Sequence, residues 1–152
     1  MGVFDSFSIN ASGLTAERYR MDVISENVAN ANTTRTEDGT PYVRKEVTFE
    51  QKDDRTAACS RMLSSTQSKY TRYTGSGVTV GGVYEDKTTE MTKVYDPSHP
   101  DADENGYVWY PNVNIVTEMT NMIDASRAYE ANATAFSTSK QMALTGLQIG
   151  QA

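Results

Sequence analysis

At 152 residues the chain has room for one ordinary domain, yet only 38% of it is apolar and 9% aromatic, a thin supply for a self-contained core. Its 14 basic and 20 acidic side chains give a net charge of −6 and are scattered without a Lys/Arg block, which argues against nucleic acid or an anionic membrane as partner. A single cysteine, Cys59, and a single histidine, His99, exclude an internal disulfide and an imidazole-based metal cluster, and no run of about 18 apolar residues reaches the length of a bilayer span.

The first residues, Met1-Gly2-Val3-Phe4-Asp5-Ser6, lack the basic and apolar stretches of a secretory signal, so export of this chain calls for a route without a cleaved signal. They fit the short myristoylation pattern, which chance produces often. From Val3 to about Ala31, apolar residues recur at heptad spacing: Phe7, Leu14, Met21 and Val28 form one seam, with Val3, Ala11, Ile24 and Ala31 beside it. This predicts an amphipathic helix, mildly interrupted at Gly13 and closing in the Asn30-Ala31-Asn32-Thr33-Thr34 stretch.

Residues 41–51 carry strand formers after an Asp38-Gly39 turn. Residues 52–77 are polar and weakly patterned and read as a long loop. Alternation returns from Val78 to Val94, and Asn105-Gly106 opens a short extended run over 107–110. Beyond Pro111-Asn112 a second heptad pattern begins. Ile115, Met122, Tyr129, Phe136 and Ala143 form its first seam, with Met119, Ser126, Ala133 and Leu147 adjoining. Neither Gly nor Pro interrupts it before Gly146, so the spacing predicts a helix of roughly 30 residues, about 45 Å long. The expected organisation is mainly α with a small β region: a helix within residues 1–34, a β-rich middle over 35–112, and a helix within 113–152, the two helices forming a coiled-coil inner domain.

Little in the sequence offers chemistry. Asp101-Ala-Asp103-Glu-Asn105-Gly106 matches the first half of a calcium loop, but Asn112 stands where the bidentate glutamate belongs, so a solvated turn is expected. His99 reads as an exposed loop histidine and Cys59 as incidental, with no second thiol or imidazole to complete a reactive pair. The glycines at 75–77 and 81–82 do not space as a phosphate loop. No catalytic residue, metal site, cofactor or small-molecule substrate is expected. What the sequence does offer is apolar seams with little in the middle of the chain to dock on. Packing of the two helices on each other within one chain competes with packing between chains, and the thin middle favours the second. Glu17 and Glu130 are expected on the outer helical faces.

Ser25-Glu26-Asn27-Val28-Ala29-Asn30-Ala31-Asn32-Thr33 resembles the N-terminal signature of the flagellar rod and hook protein family. Gly106-Tyr107-Val108, Pro111-Asn112-Val113-Asn114, Glu118-Met119 and the Arg127-x-Tyr129-x-Ala131-Asn132 run resemble the C-terminal signature of that family's proximal rod members. The resemblance covers about residues 1–50 and 93–152. It implies a structural subunit of the bacterial flagellar basal-body rod that assembles helically through its terminal helices and passes motor torque to the hook. Its partners would be copies of itself, other rod subunits, the base of the basal body and the export apparatus, with no direct membrane insertion. Phe7, Leu14, Met21, Asn27, Val28 and Asn30 of the first helix, and Ile115, Met119, Met122, Tyr129, Phe136 and Leu147 of the second, would then form the assembly interface. The competing reading is a signal-less secreted helical effector or adaptor.

Overall fold

The computed structural model describes residues 3–52 and 76–150. Cys59 and almost all of the loop expected over 52–77 lie outside them. The element order is helix α1 (Val3–Ala29), strands β1 (Lys45–Gln51), β2 (Val78–Glu85), β3 (Thr92–Tyr95) and β4 (Tyr107–Tyr110), and helix α2 (Ile115–Ile149). The fold is thus mainly α with a small β region. α2 spans 35 residues, about 52 Å, and runs through Gly146 to its end.

Each helix starts or stops where side chains meet orphan backbone groups. Asn114, in extended conformation, caps α2 by accepting from the amides of Val116 and Thr117. At the end of α1 the Asn30 amide donates to the Glu26 carbonyl, and the Thr33 hydroxyl donates to Asn30 Oδ1. The asparagine therefore closes the helix with its side chain.

The helices pack antiparallel. Phe7 meets Phe136 edge to face at 5.1 Å, a Cβ on Gly13 would stand 3.0 Å from the Asn132 amide, and Asn27 reaches Glu118. Gly13, expected as a weak point, is instead the place where α1 approaches α2 closely. On α2 the better-covered positions include Glu118, Met122, Ala125, Tyr129, Asn132, Phe136, Ser139 and Ala143, an alternating four-three spacing.

β1 and β2 form one antiparallel ribbon, with Lys45 opposite Glu85 and Phe49 opposite Val80, and a bulge between Thr48 and Phe49. β3 and β4 form a second, pairing Thr92 with Tyr110 and Tyr95 with Tyr107. The first ribbon is fastened to α1 at Ser12, whose hydroxyl donates to the Ile9 carbonyl and accepts from the Val78 amide. Gly77 makes this approach possible. Its φ of +87° suits glycine, and a Cβ there would stand 2.3 Å from the Ser12 hydroxyl. Among the described residues the buried apolar core is small: Ala16, Val23, Ile24, Ala31, Tyr42, Val108 and Ala125. It sits where α1, α2 and the strands meet, leaving the far reaches of both helices thinly covered.

Candidate assembly interface

The joint between helices and strands is polar. Glu118, one turn into α2, is only 1% exposed. Its Oε1 accepts from Arg44 Nε at 2.8 Å and its Oε2 from the Asn27 amide at 3.0 Å. Asn27, also 1% exposed, donates a second time to the Lys45 carbonyl, and its Oδ1 accepts from the Lys45 amide and the Tyr42 hydroxyl. Both donors and both acceptor sites of that side chain are used, so its burial leaves nothing unpaired. Arg44 extends the network to Glu46 and, at 3.7 Å, to Asp86. Asn112 ties in the remaining strands by accepting from the Arg44 amide and donating to the carbonyls of Asp86 and Thr89.

Electrostatics follow from this packing. Burial, then the nearby carboxylates of Glu26, Glu118 and Glu85, push the Tyr42 phenol up to about 12 from an ordinary 10.0. Hydrogen bonds from the hydroxyls and amides of Thr89 and Thr88 hold the Asp86 carboxyl well below the usual range. For Arg44, burial opposes the charge, but the hydrogen bonds it donates to Glu46 and Glu118 outweigh it and raise the guanidinium.

The Tyr42 shift has a testable sign. A phenol that ionises later in the folded chain leaves stability intact below pH 10 and removes it as pH rises from there toward about 12. Tyr42→Phe is expected to flatten that alkaline decline while lowering stability at neutral pH, through the lost hydrogen bond to Asn27. Urea unfolding at a series of pH values checks both parts; parallel pH profiles for the two proteins would refute the assignment.

The residues expected to form the assembly interface divide into three groups. Phe7, Leu14, Met21 and Val28 on α1, and Met122, Tyr129 and Phe136 on α2, are half-buried within the chain. The Phe7–Phe136 contact makes the first seam at least partly intramolecular, against the preference for packing between chains. Asn27 and Asn30 have work within the fold: Asn27 has almost no surface left, and Asn30 closes α1. Ile115, Met119 and Leu147 do face solvent, Met119 at 57% and Leu147 at 66%. Glu130 is exposed as expected, but Glu17 is not on an outer face. Its side chain is only 15% exposed, beside Arg20, in a hollow that Ile9, Phe49 and Asn132 also line.

The other features with chemical potential are accounted for locally. Asp103 Oδ1 accepts from the amides of Asn105 and Tyr107, closing a turn in which Gly106 takes φ +78°. Asp101 accepts from the Thr34 hydroxyl. His99 is half-buried rather than exposed: its Nδ1 accepts from the Asp101 amide and its ring lies edge-on to Tyr110.

A helix pair locked to small β ribbons thus keeps outward apolar residues near both ends of α2, and the class of protein that carries this arrangement is given by its relatives: flagellar basal-body rod proteins. A family model described as flagella basal body rod protein matches residues 7–35, and one described as flagellar basal body rod FlgEFG protein C-terminal matches residues 104–149. The chain is 43% identical to the flagellar basal-body rod protein FlgC of Borreliella burgdorferi, over 99% of both chains. It is 41% identical to the FlgC of Bacillus subtilis and 38% to that of Salmonella typhimurium, covering 99% of this chain and 100% of each relative. The chain belongs to the FlgC family of flagellar basal-body rod proteins. These matches favour the rod reading over a secreted helical effector.

Proposed function

We propose that the chain is a structural subunit of the proximal rod of the bacterial flagellar basal body and performs no catalysis. It takes its place through the exposed faces of its terminal helices, next to copies of itself and other rod subunits, and passes motor torque toward the hook. It reaches that position by the flagellar export apparatus. The observation that carries this reading is the placement of large apolar residues on solvent faces of α2, including Val116, Met119, Ile123, Met142, Leu147 and Ile149, in a chain of the FlgC family. So many exposed apolar side chains on one helix mark a contact surface rather than a solvated face.

The polar joint suits the same role. A rod subunit under load has to keep its strands fixed relative to its helices, and Arg44, Glu118 and Asn27 bind the two through bonds that have direction.

The test is the fraction of exported subunit that is incorporated into isolated basal bodies. Met119→Asp and Leu147→Asp are expected to be exported and stably folded but to lose incorporation, because a carboxylate buried at a contact costs several kcal/mol. Glu130→Gln is expected to behave as wild type. Incorporation of both aspartate variants at wild-type levels would remove the outward helix faces from the mechanism.

A further inference from the structure

One covered titratable group takes no part in the joint around Glu118. Glu17 lies on α1 one turn beyond Gly13, with its side chain 15% exposed. Among the described residues, its Oε2 is the buried side-chain oxygen that accepts no hydrogen bond. Arg20 stands 3.9 Å away, close enough to lend charge but too far to donate. The carboxylate borders a hollow of about 500 Å³. Gly13, Ala16 and Gly77 keep that space clear because they carry nothing beyond Cβ, Phe49 gives it an apolar wall, and Gln51 and Asn132 add amide groups to its lining. A second group lacks a counterpart. Arg127 opens the Arg127-x-Tyr129-x-Ala131-Asn132 run, yet it is exposed and makes no ion pair, hydrogen bond or ring contact among the described residues. The antiparallel register sets Phe7 by Phe136, Gly13 by Asn132 and Asn27 by Glu118, with the last turns of α2 projecting past the start of α1. Glu17 is therefore level with the turn of α2 that carries Arg127. Arg127 stands about 200° round that helix from the buried Ala125, so it points away from α1.

We propose that the hollow beside Glu17 is a receptor for the Arg127 guanidinium of a second copy of this chain, set beside the first at the same level. The carboxylate selects a cation, since a covered oxygen without a donor destabilises the free chain until one arrives. The rest of the lining suits arginine. Its fixed fork of five donors can serve the carboxylate and the two amide oxygens together, while its alkyl stem lies on Phe49. Arg127 and Glu17 lie on different faces of the helix pair, so each copy gives with one face and receives with another. Such a contact is heterologous and continues sideways from copy to copy instead of closing as a two-fold dimer. This inference rests on the rod reading and adds a lateral contact between like subunits, made by one ion pair at a fixed height.

Glu17→Gln, Arg127→Gln and the double variant, each expressed as the sole copy of the full-length chain, test the pairing. Two quantities are measured: the urea midpoint of the free chain, and the fraction of exported chain incorporated into isolated basal bodies. Both single variants are expected to keep the wild-type midpoint and to lose incorporation by at least about tenfold, because each leaves its partner charged and covered at the contact. The double variant leaves neither charge behind, so it is expected to be incorporated better than either single one. Arg18→Gln, at another exposed arginine, is expected to behave as wild type. Wild-type incorporation of either single variant overturns the inference, as does a double variant worse than both. A lowered midpoint for Glu17→Gln also overturns it, since the carboxylate is then satisfied inside its own chain. A loss for Arg18→Gln as large as that for Arg127→Gln overturns the choice of Arg127. All of these leave the rod reading standing. Absence of the wild-type chain from basal bodies overturns the rod reading and the inference together.

Discussion

Arg44→Ala is expected to destabilise the folded chain by about 3–5 kcal/mol, the largest effect of any single substitution proposed. The reason lies in Glu118, which is 1% exposed and takes the Arg44 guanidinium as its cationic partner. Removing Arg44 leaves a carboxylate in the joint with the Asn27 amide as its remaining close donor, plus a long contact to Asn121 at 3.5 Å. An uncompensated buried charge costs far more than the pair contributes when intact. Replacing both partners, Arg44→Met with Glu118→Met, is therefore expected to cost much less than Arg44→Ala alone. Urea unfolding followed by circular dichroism measures all three proteins. A double variant as unstable as the single one would mean that the pair supplies net stability rather than mutual neutralisation. Arg44→Lys separates charge from shape: a lysine keeps the charge but loses the fixed guanidinium geometry that serves Glu118, Glu46 and Asp86 together.

Phe136→Asp is expected to cost about 2–4 kcal/mol in the isolated chain, below the full range for a core aromatic because the ring is half-buried. Its edge-to-face contact with Phe7 at 5.1 Å lies toward the projecting end of the helix pair, where few other buried residues hold α1 to α2. Loss of that contact is expected to free the start of α1, read as early proteolytic trimming there, while the joint around Glu118 stays protected. Incorporation into basal bodies should fall as a consequence of the lost helix pair. The measurement that separates this from a contact between subunits is the stability of the free chain. A change within about 0.5 kcal/mol accompanied by lost incorporation would place Phe136 at a neighbour instead. Phe7→Ala and Phe136→Ala should also couple in a double-mutant cycle by about 0.5–1.5 kcal/mol.

The legible part of this protein was its periodic part. Heptad spacing placed both helices, and turn residues with alternation placed the strands, because these signals are local and repeat along the chain. Two signatures, around Asn27 and around Glu118, carry the resemblance to the flagellar family in the sequence itself. Not every residue in them plays the part the signature suggests. Asn27 was expected on the assembly surface, and it lies at the centre of the chain's own joint. A buried asparagine and an exposed one look alike in sequence, since the difference lies in partners 15 to 91 positions away.

The same reason governs the seams. Apolar periodicity sets Ile115, Met122, Tyr129, Phe136 and Ala143 in one row with Met119, Ser126, Ala133 and Leu147 beside it; Ile115, Met119, Ala133 and Leu147 are exposed, and the covered companion row is Glu118, Ala125, Asn132 and Ser139, which apolar spacing misses because they are polar or small. The sequence by itself determined that two long amphipathic helices flank a small β region too poor in apolar residues to cover them, which follows from composition and period alone. Only the tertiary structure decided which stripe of each helix is spent inside the chain and which remains outside. That choice depends on the antiparallel register, set by Gly13 against Asn132 and by Glu118 buried between Arg44 and Asn27, and contacts so distant along the chain leave no local pattern to read.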